Sequence, residues 1–583
     1  MPLYRASLFL FLKNPPVQAV PISDLKIYEQ NKHGLIQKNC EIMVNYQSMP
    51  ESEKIRHLKK HADSAARFIK QHPHVCLVTH NDSDGLSSAA IMIQALKREG
   101  ITYYHKIFPK LDASTVSVLA SSFPDDFLMI FCDIGSGQSE FLSELPNPIV
   151  ILDHHVPVGK TPAKVVVNPM NVGLEGSYMI SGAGVSYLTA LAMNNENVSL
   201  SSFAVSGMIG DRQLMVAANA DILEQAKEAG VVVSRRGFKV GDGRLFDILM
   251  RTTEPYLDIT GKPDEIRSFL AALNLDENKN TRDLTDDEMA RLCDAVLKKL
   301  EPLDSPDAVE AAVGEIYYLK NQLVENVFDL AGILDSCSKE DDFEAAMALC
   351  LGDPSAVSKC FDNYYTSQET LMENLTAVLP TAQSLSNVSY ICGDDLYSAG
   401  SISTTYIRYI DPSKPFVCLN ETDGAIRVSA RGTRSLIKQG LDLSVVIKAA
   451  AESVGGVGGG HNIASGGLLP PGKEVAIAFM NKLNELIGAQ LSGRLKMKGP
   501  ALHITGTIRF IDETDAEKTD RASEKLVATL APDNTHGTKT TVFDGYAEIS
   551  LESDKIGSLL ATSDDLLMNA DGAVRVKKAS FEK

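Results

Sequence analysis

No Cys-x-x-Cys pair occurs among the nine cysteines, which argues against zinc ribbons and thioredoxin-type chemistry. Their odd number and scatter suit a reducing compartment, so a cytoplasmic location is expected. No early apolar run approaches the ~18–20 residues that a membrane span needs. The longest is Leu8 to Leu12, and Lys13, Asn14, Pro15 and Pro16 follow it directly, so neither a span nor a cleavable signal peptide is expected. Excess positive charge is also missing. Lys and Arg number 56 against 75 Asp and Glu, giving a formal charge of −19 and no whole-molecule attraction for nucleic acid. Such binding would need a local basic groove or metal ions. There is no Walker A lysine motif, hence no support for ATP hydrolysis. The 41 glycines have no period and no fixed repeat is found. His57 and His61, at i and i+4, lack the intervening glutamate of metalloproteases and read as a solvated helix face.

What is present is a chain of 583 residues, 44% hydrophobic and 22% charged, enough for three or four folded domains. Residues 1–50 read as an extension. A helix is expected from Glu51 to Gln71, with apolar positions at Ile55, Leu58, Ala62, Ala65 and Ile69. Three short apolar runs follow, Val75 to Val78, Phe127 to Cys132 and Ile149 to Leu152, with a helix from Leu86 to Glu99 after the first. Apolar runs alternating with helices predict an α/β fold with a parallel sheet. Residues 261–385 read as a helical connector, with Ala308 to Leu319 and Gln368 to Leu379 as helices. Strand-like runs return at Val388 to Cys392, Phe416 to Leu419 and Ala425 to Ser429. A glycine cluster and a helix near Glu474 to Leu486 then complete a second, smaller α/β domain over 386–490. Residues 491–583 suggest an α+β appendage, with strands at Ala501 to Phe510 and Ala547 to Leu551 and helices at Thr519 to Leu530 and Ser563 to Asn569.

Polar residues fall where each early run stops, the edge at which open parallel sheets bind ligands. The first run ends in His80, Asp82 and Asp84, the second in Asp133, the third in Asp153, His154 and His155. Asp211 closes a later Gly-Met-Ile-Gly-Asp segment. On an extended strand end, His80, Asp82 and Asp84 would point the same way. Taken singly, each has a bland reading. Asp-x-Asp-Gly is a common turn, and Asp133 or Asp211 could cap a helix. Together they are hard to explain as packing, because clustered carboxylates repel unless cations neutralise them. Imidazole mixed with carboxylate suits Mn2+ or a similar transition metal better than Ca2+. Gly182-Ala-Gly184 before an apolar helix reads as a close-packing feature.

These motifs resemble those of the DHH phosphoesterase family. That resemblance implies a catalytic domain over 51–260 with two metals, usually manganese, Mg2+ or Co2+ being alternatives. His80 and Asp82 would bind the first metal, and Asp84, His154 and Asp211 the second, with Asp133 bridging. Asp153 would support the catalytic site, and His155 would face the scissile phosphate. Downstream, Gly458, Gly459, Gly460 and His461 resemble the glycine-rich signature of the DHH-associated C-terminal domain, and Ser429-Ala-Arg431 its serine-x-arginine strand. Ser465 stands where the family usually has alanine. Glycines let backbone N–H groups approach a phosphate, and His461 and Arg431 offer charge-assisted bonds to it. The order of parts is most similar to archaeal RecJ-like exonucleases. The implied substrates are single-stranded DNA or RNA, or short oligonucleotides. The same residues would serve a dinucleotide phosphodiesterase, which the charge of −19 favours over enzymes acting on long polyanions. A pyrophosphatase fits less well. A non-catalytic partner in a replication or RNA-processing complex is the reading from another class. The last ~90 residues, with Pro532-Asp533-Asn534, resemble the small dimerising subunit of the KEOPS complex, which implies a homodimer or an RNA or protein partner.

Overall fold

In a computed structural model of the chain, residues 49–493 are described throughout. Of the flanking segments, only the backbone of eight strands is described. The chain forms two compact units, Glu51–Lys496 and Met1–Pro50 together with Met497–Lys583. In the latter, strands Arg5–Leu12, Ile504–Ile511, Tyr546–Ser553 and Thr538–Phe543 lie in that order in one antiparallel sheet. The extension expected at residues 1–50 thus shares a sheet with the last segment. The helices expected at Thr519 to Leu530 and Ser563 to Asn569, and the Pro-Asp-Asn triplet, lie outside the described residues.

The larger unit opens with α1 (Glu51–Ile69), whose Ile55, Leu58, Ala62, Ala65 and Ile69 are buried along one stripe. His57 and His61 on this helix are half-buried rather than solvated. Then come β1 (His74–Thr79), α2 (Ser83–Arg98), β2 (Thr102–Ile107), α3 (Ala113–Ser122), β3 (Leu128–Cys132), β4 (Ile149–Leu152) and β5 (Val165–Val167). The strands form an all-parallel sheet of order β5-β4-β3-β1-β2. β3 and β4 are buried at every position, as expected of strands covered on both faces, whereas edge strand β2 alternates. Three helices follow: α4 (Gly182–Met193), α5 (Ser201–Gly210) and α6 (Ala217–Glu228). α2 packs against both α4 and α5 and is buried from Ser83 to Ile93.

The connector is less helical than expected. Ala308 to Leu319 does not form one helix: a helix ends at Ala312, and Val313–Leu319 is a strand. It pairs antiparallel with Val232–Phe238, some 80 residues earlier. Val313, Ile316, Tyr317 and Tyr318 suit a half-buried pleat, and that distant pairing overrides the local helical pattern. α7 (Val327–Lys339) packs against α2 and α5, and α8 (Ala356–Val378) packs on α7. The downstream domain is a mixed six-stranded sheet. Its core strands are β6 (Ser389–Asp394), β7 (Phe416–Thr422), β8 (Ala425–Arg431), β9 (Val457–Gly460) and β10 (Ala464–Leu469), in the order β6-β7-β8-β10-β9, and Gln383–Ser384 extends the β6 edge. Only β6 and β7 run parallel. Among the described residues no helix is long and apolar enough to cross a membrane, and all eight cysteines are unpaired.

α7 also carries Asp329, which is 4% exposed. It accepts a hydrogen bond from the Asp242 N–H at 2.7 Å. Burial, with the nearby Asp242 carboxylate, pushes Asp329 up to about 7. A carboxyl whose folded value is raised stabilises the fold while protonated, and that stability fades as pH rises through about 7. The neutral isostere removes this dependence. Between pH 6 and pH 8.5 the melting temperature of Asp329→Asn is expected to fall less than that of the parent, as read by calorimetry. Parallel curves would refute the assignment.

Candidate metal centre

The carboxyl edge of β1, β3 and β4 gathers the sequence-predicted ligands, though not by extended geometry. After β1 the chain turns at once into α2. Asp82 is the N-cap of α2, its Oδ1 accepting from the Gly85 N–H at 2.9 Å, and Asp84 lies in the first helical turn. The three residues therefore part company. His80 and Asp82 group with Asp133, whereas Asp84 groups with His154 and Asp211. A third set joins Asp133, Asp153, His154 and His155, and within each set the ligand atoms lie within 4.8 Å of one another.

Asp133 is common ground. It sits after β3 with φ of 58° and is 1% exposed, yet neither carboxylate oxygen has a hydrogen-bond partner. His154 Nε2 lies 3.2 Å from Oδ1, and His80 Nδ1 lies 3.5 Å from Oδ2. A buried carboxylate left bare on both oxygens is costly unless a cation lies against it. Space is also reserved: a Cβ at Gly182 would stand 2.6 Å from Asp133 Oδ1, and one at Gly207 only 2.3 Å from Asp84 Oδ1.

The other groups are held by the protein itself. Asp84 receives the Gly182 and Ala183 N–H groups at 2.6 and 2.9 Å, so the N-terminus of α4 faces it. Sequence reasoning gave Gly182 a packing role only. Asp153, fully buried, accepts from the backbone N–H groups of Ser136, His154 and His155 and from His155 Nδ1. Its oxygens are occupied by the chain, so it orients the histidine loop. His154 Nδ1 donates to the Gly176 carbonyl at 2.8 Å, which makes Nε2 the nitrogen that faces Asp133. Gln213 was missed. Its Nε2 donates to Asp211 Oδ2 at 2.7 Å and to the same Gly176 carbonyl at 2.9 Å, and Asn219 bonds its Oε1 at 3.2 Å. Only its position two residues after Asp211 could have flagged it.

The downstream signature arrives in pieces. Gly458, Gly459 and Gly460 are not a loop but edge strand β9, paired with Gly467, Gly466 and Ser465. Gly458 packs against Ile447, Gly459 borders open space, and Gly460 has φ of 139° where the hairpin turns. His461 in that turn reaches across to Ser177. Its ring centroid is 5.4 Å from that of His155 and 6.1 Å from that of His154. Burial and the two neighbouring imidazoles push His461 down to about 4. At neutral pH it is uncharged, so the expected charge-assisted bond from this ring is absent in the free protein. Ser429 and Arg431 lie on β8. The guanidinium of Arg431 reaches its own strand's Ala430 carbonyl and stands 3.2 Å from where a Gly400 Cβ would be. Burial, with Arg212 and Arg408 nearby, brings Arg431 down to about 10, still cationic. Arg212 and Arg408 share the Glu254 carboxylate, at 3.0 and 3.7 Å. These residues come from separate segments, and no motif linked them beforehand.

The donor set fits divalent cations. Against the cost of burial, Asp82 and Asp133 hold His80 up, and Asp133 and Asp211 hold His154 up. Burial and Asp133 likewise push Asp84 up. Protons and metal ions would therefore compete for the same atoms. Mn2+ is expected to raise the melting temperature of the parent protein, and Asp133→Asn to abolish that rise. Gln213→Leu is expected to weaken Mn2+ binding about 10- to 100-fold, read by paramagnetic resonance of the free ion. Parent-like Mn2+ affinity in both variants would exclude this site.

Known proteins share these domains and this fold. Residues 74–209 match the DHH family N-terminal domain, and residues 397–489 match the DHHA1 domain. An uncharacterized protein of Methanocaldococcus jannaschii is 28% identical over 449 residues, which span 75% of this chain and 99% of that protein. The structure of CDC45 from Entamoeba histolytica aligns with a TM-score of 0.53 at 12% identity, over 77% of this chain and 100% of that one, a likeness of fold alone. RecJ in complex with Mn2+ from Thermus thermophilus aligns with a TM-score of 0.48 at 16% identity, over 74% of this chain and 54% of that one. This chain thus matches little more than half of that RecJ. The DHH match lies over all the candidate ligands but Asp211 and the DHHA1 match over the glycine-rich sheet, so the chain carries a DHH family N-terminal domain followed by a DHHA1 domain.

Proposed function

We infer that this protein is a divalent-metal-dependent phosphodiester hydrolase that removes nucleotides from an end of single-stranded DNA or RNA. The observation that carries the reading is Asp133, bare on both oxygens between two ligand groups. His80 and Asp82 would hold one ion, Asp84, His154 and Asp211 a second, and Asp133 both. Bound ions of this kind activate water and polarise a phosphate. The chain's own residues do the rest. Asp153 holds His155 with its Nδ1 proton engaged, so Nε2 is the nitrogen available to a phosphodiester. Arg431 supplies fixed positive charge, and Gly459, with open space beside it, allows close approach. Residues 51–260 act as the catalytic part, 261–385 as connector and 386–490 as the substrate-binding part. The unpaired thiols support a reducing cytoplasm as its location. Residues 491–583 are assigned to self-association or to an RNA or protein partner.

A second reading has its own support. The charge of −19 disfavours long polyanions and favours short oligonucleotides or dinucleotides on the same residues. End-labelled single-stranded RNA and DNA of two to about thirty nucleotides, digested with Mn2+, separate the two. Stepwise mononucleotide release from long strands is expected, and Asp84→Ala should abolish it while leaving the protein folded. Cleavage confined to the shortest substrates would move the assignment to oligonucleotide or dinucleotide clearance. No turnover at any length would leave the role of a non-catalytic partner.

A further inference from the structure

One short hydrogen-bonded chain ties the two family domains together. Ser177 Oγ lies 2.9 Å from His461 Nδ1 and 3.0 Å from Glu175 Oε1, and the Ser177 N–H also donates to that oxygen at 3.2 Å. Among the described residues, this is the hydrogen bond that joins residues 74–209 directly to residues 397–489. A hydroxyl has one proton to give, and a carboxylate can only accept. The Ser177 proton therefore goes to Glu175. The contact with His461 then requires Nδ1 to be the donor. In the neutral tautomer that this geometry selects, the single N–H is on Nδ1 and Nε2 carries a lone pair. Among the described residues Nε2 has no hydrogen-bond partner, while the ring faces His155 and His154.

We propose that Glu175 and Ser177 are positioning residues that hold His461 over the metal centre in one tautomer, with the proton on Nδ1 and Nε2 unprotonated. Neither residue belongs to a ligand set. Their segment brackets Gly176, whose carbonyl already orients His154 and Gln213, so one three-residue stretch sets two histidines from opposite halves of the cleft. The consequence for recognition is specific. A nitrogen that can only accept does not bond a bare phosphate oxygen. It pairs with a donor brought by the substrate, a sugar hydroxyl or a water carried on the phosphate. This rests on the phosphodiesterase reading for the identity of the substrate but not for the tautomer.

The test reads the ring directly. Metal-free full-length protein labelled with 15N-histidine gives long-range 1H–15N correlations that distinguish the two tautomers, and a His461→Gln spectrum identifies the signal. The parent and Ser177→Thr are expected to show Nδ1–H. In Glu175→Ala the freed hydroxyl proton turns to Nδ1 and the ring proton moves to Nε2. In Ser177→Ala both tautomers appear. An Nε2–H ring in the parent, or a pure Nδ1–H ring in both alanine variants, would overturn the proposal. Should Glu175→Ala fail to fold, Ser177→Ala decides alone. A protein that hydrolyses nothing would still give these spectra, so failure of the wider reading stays separate.

Discussion

Carboxylates crowded at the end of one parallel sheet repel one another, and the architecture around them answers that repulsion. Asp84, Asp133 and Asp153 are almost fully buried, where unpaired charge costs most. The protein meets the problem differently at each. Asp84 is set against the start of a helix, where backbone N–H groups and the helix dipole favour negative charge. Asp153 is wrapped by three backbone donors and an imidazole. Asp211, at the end of a helix, is held by an amide side chain. Asp133 alone receives no backbone or amide N–H and faces the imidazoles of His80 and His154. That asymmetry separates residues that shape the site from the one whose charge is reserved for something else.

The strands that end in these residues were legible beforehand because each is a short, wholly apolar run. Ile149 to Leu152 matches its strand end to end, and Phe127 to Cys132 misses by one residue. The clustering of the candidate ligands was legible for the same reason, since charged groups that terminate core strands have no packing explanation. Their geometry was only partly so. Treating Asp84 as part of a strand end missed that Asp82 is a helix cap, a role its Asp-Ser-Asp-Gly context equally allows. Gln213, Ser177, Arg212, Arg408 and Glu254 were not legible. Each is an ordinary polar residue until a fold brings distant segments together. The strand Val313–Leu319 was hidden likewise, because its partner lies far upstream.

The glycine-rich segment shows how a motif can be found for one reason and work by several. As a loop, it would offer its amides freely. As an edge strand, it commits one side to β10 and leaves the other open. Only Gly459 has room beside it, Gly458 is small because Ile447 packs there, and Gly460 is glycine because the hairpin requires its backbone angle. Three adjacent identical residues thus meet three separate demands.

α7 belongs to the connector in sequence and to the candidate metal centre in space. Asp335 accepts from the Ser83 N–H at 3.0 Å, and Ser338 accepts from Asn81 Nδ2 at 3.0 Å, so this helix braces the turn that presents His80 and Asp82. Its apolar side covers α2 and α5. That placement imposes an order on biosynthesis. The parallel sheet and the helices through Glu228 are translated well before Lys339 is reached. At ~5–20 residues per second, the nascent domain waits roughly 5–20 s with the faces of α2 and α5 uncovered. During that interval the ligand turn lacks its brace, and the half-made domain is a client for whatever shields apolar surface at the ribosome.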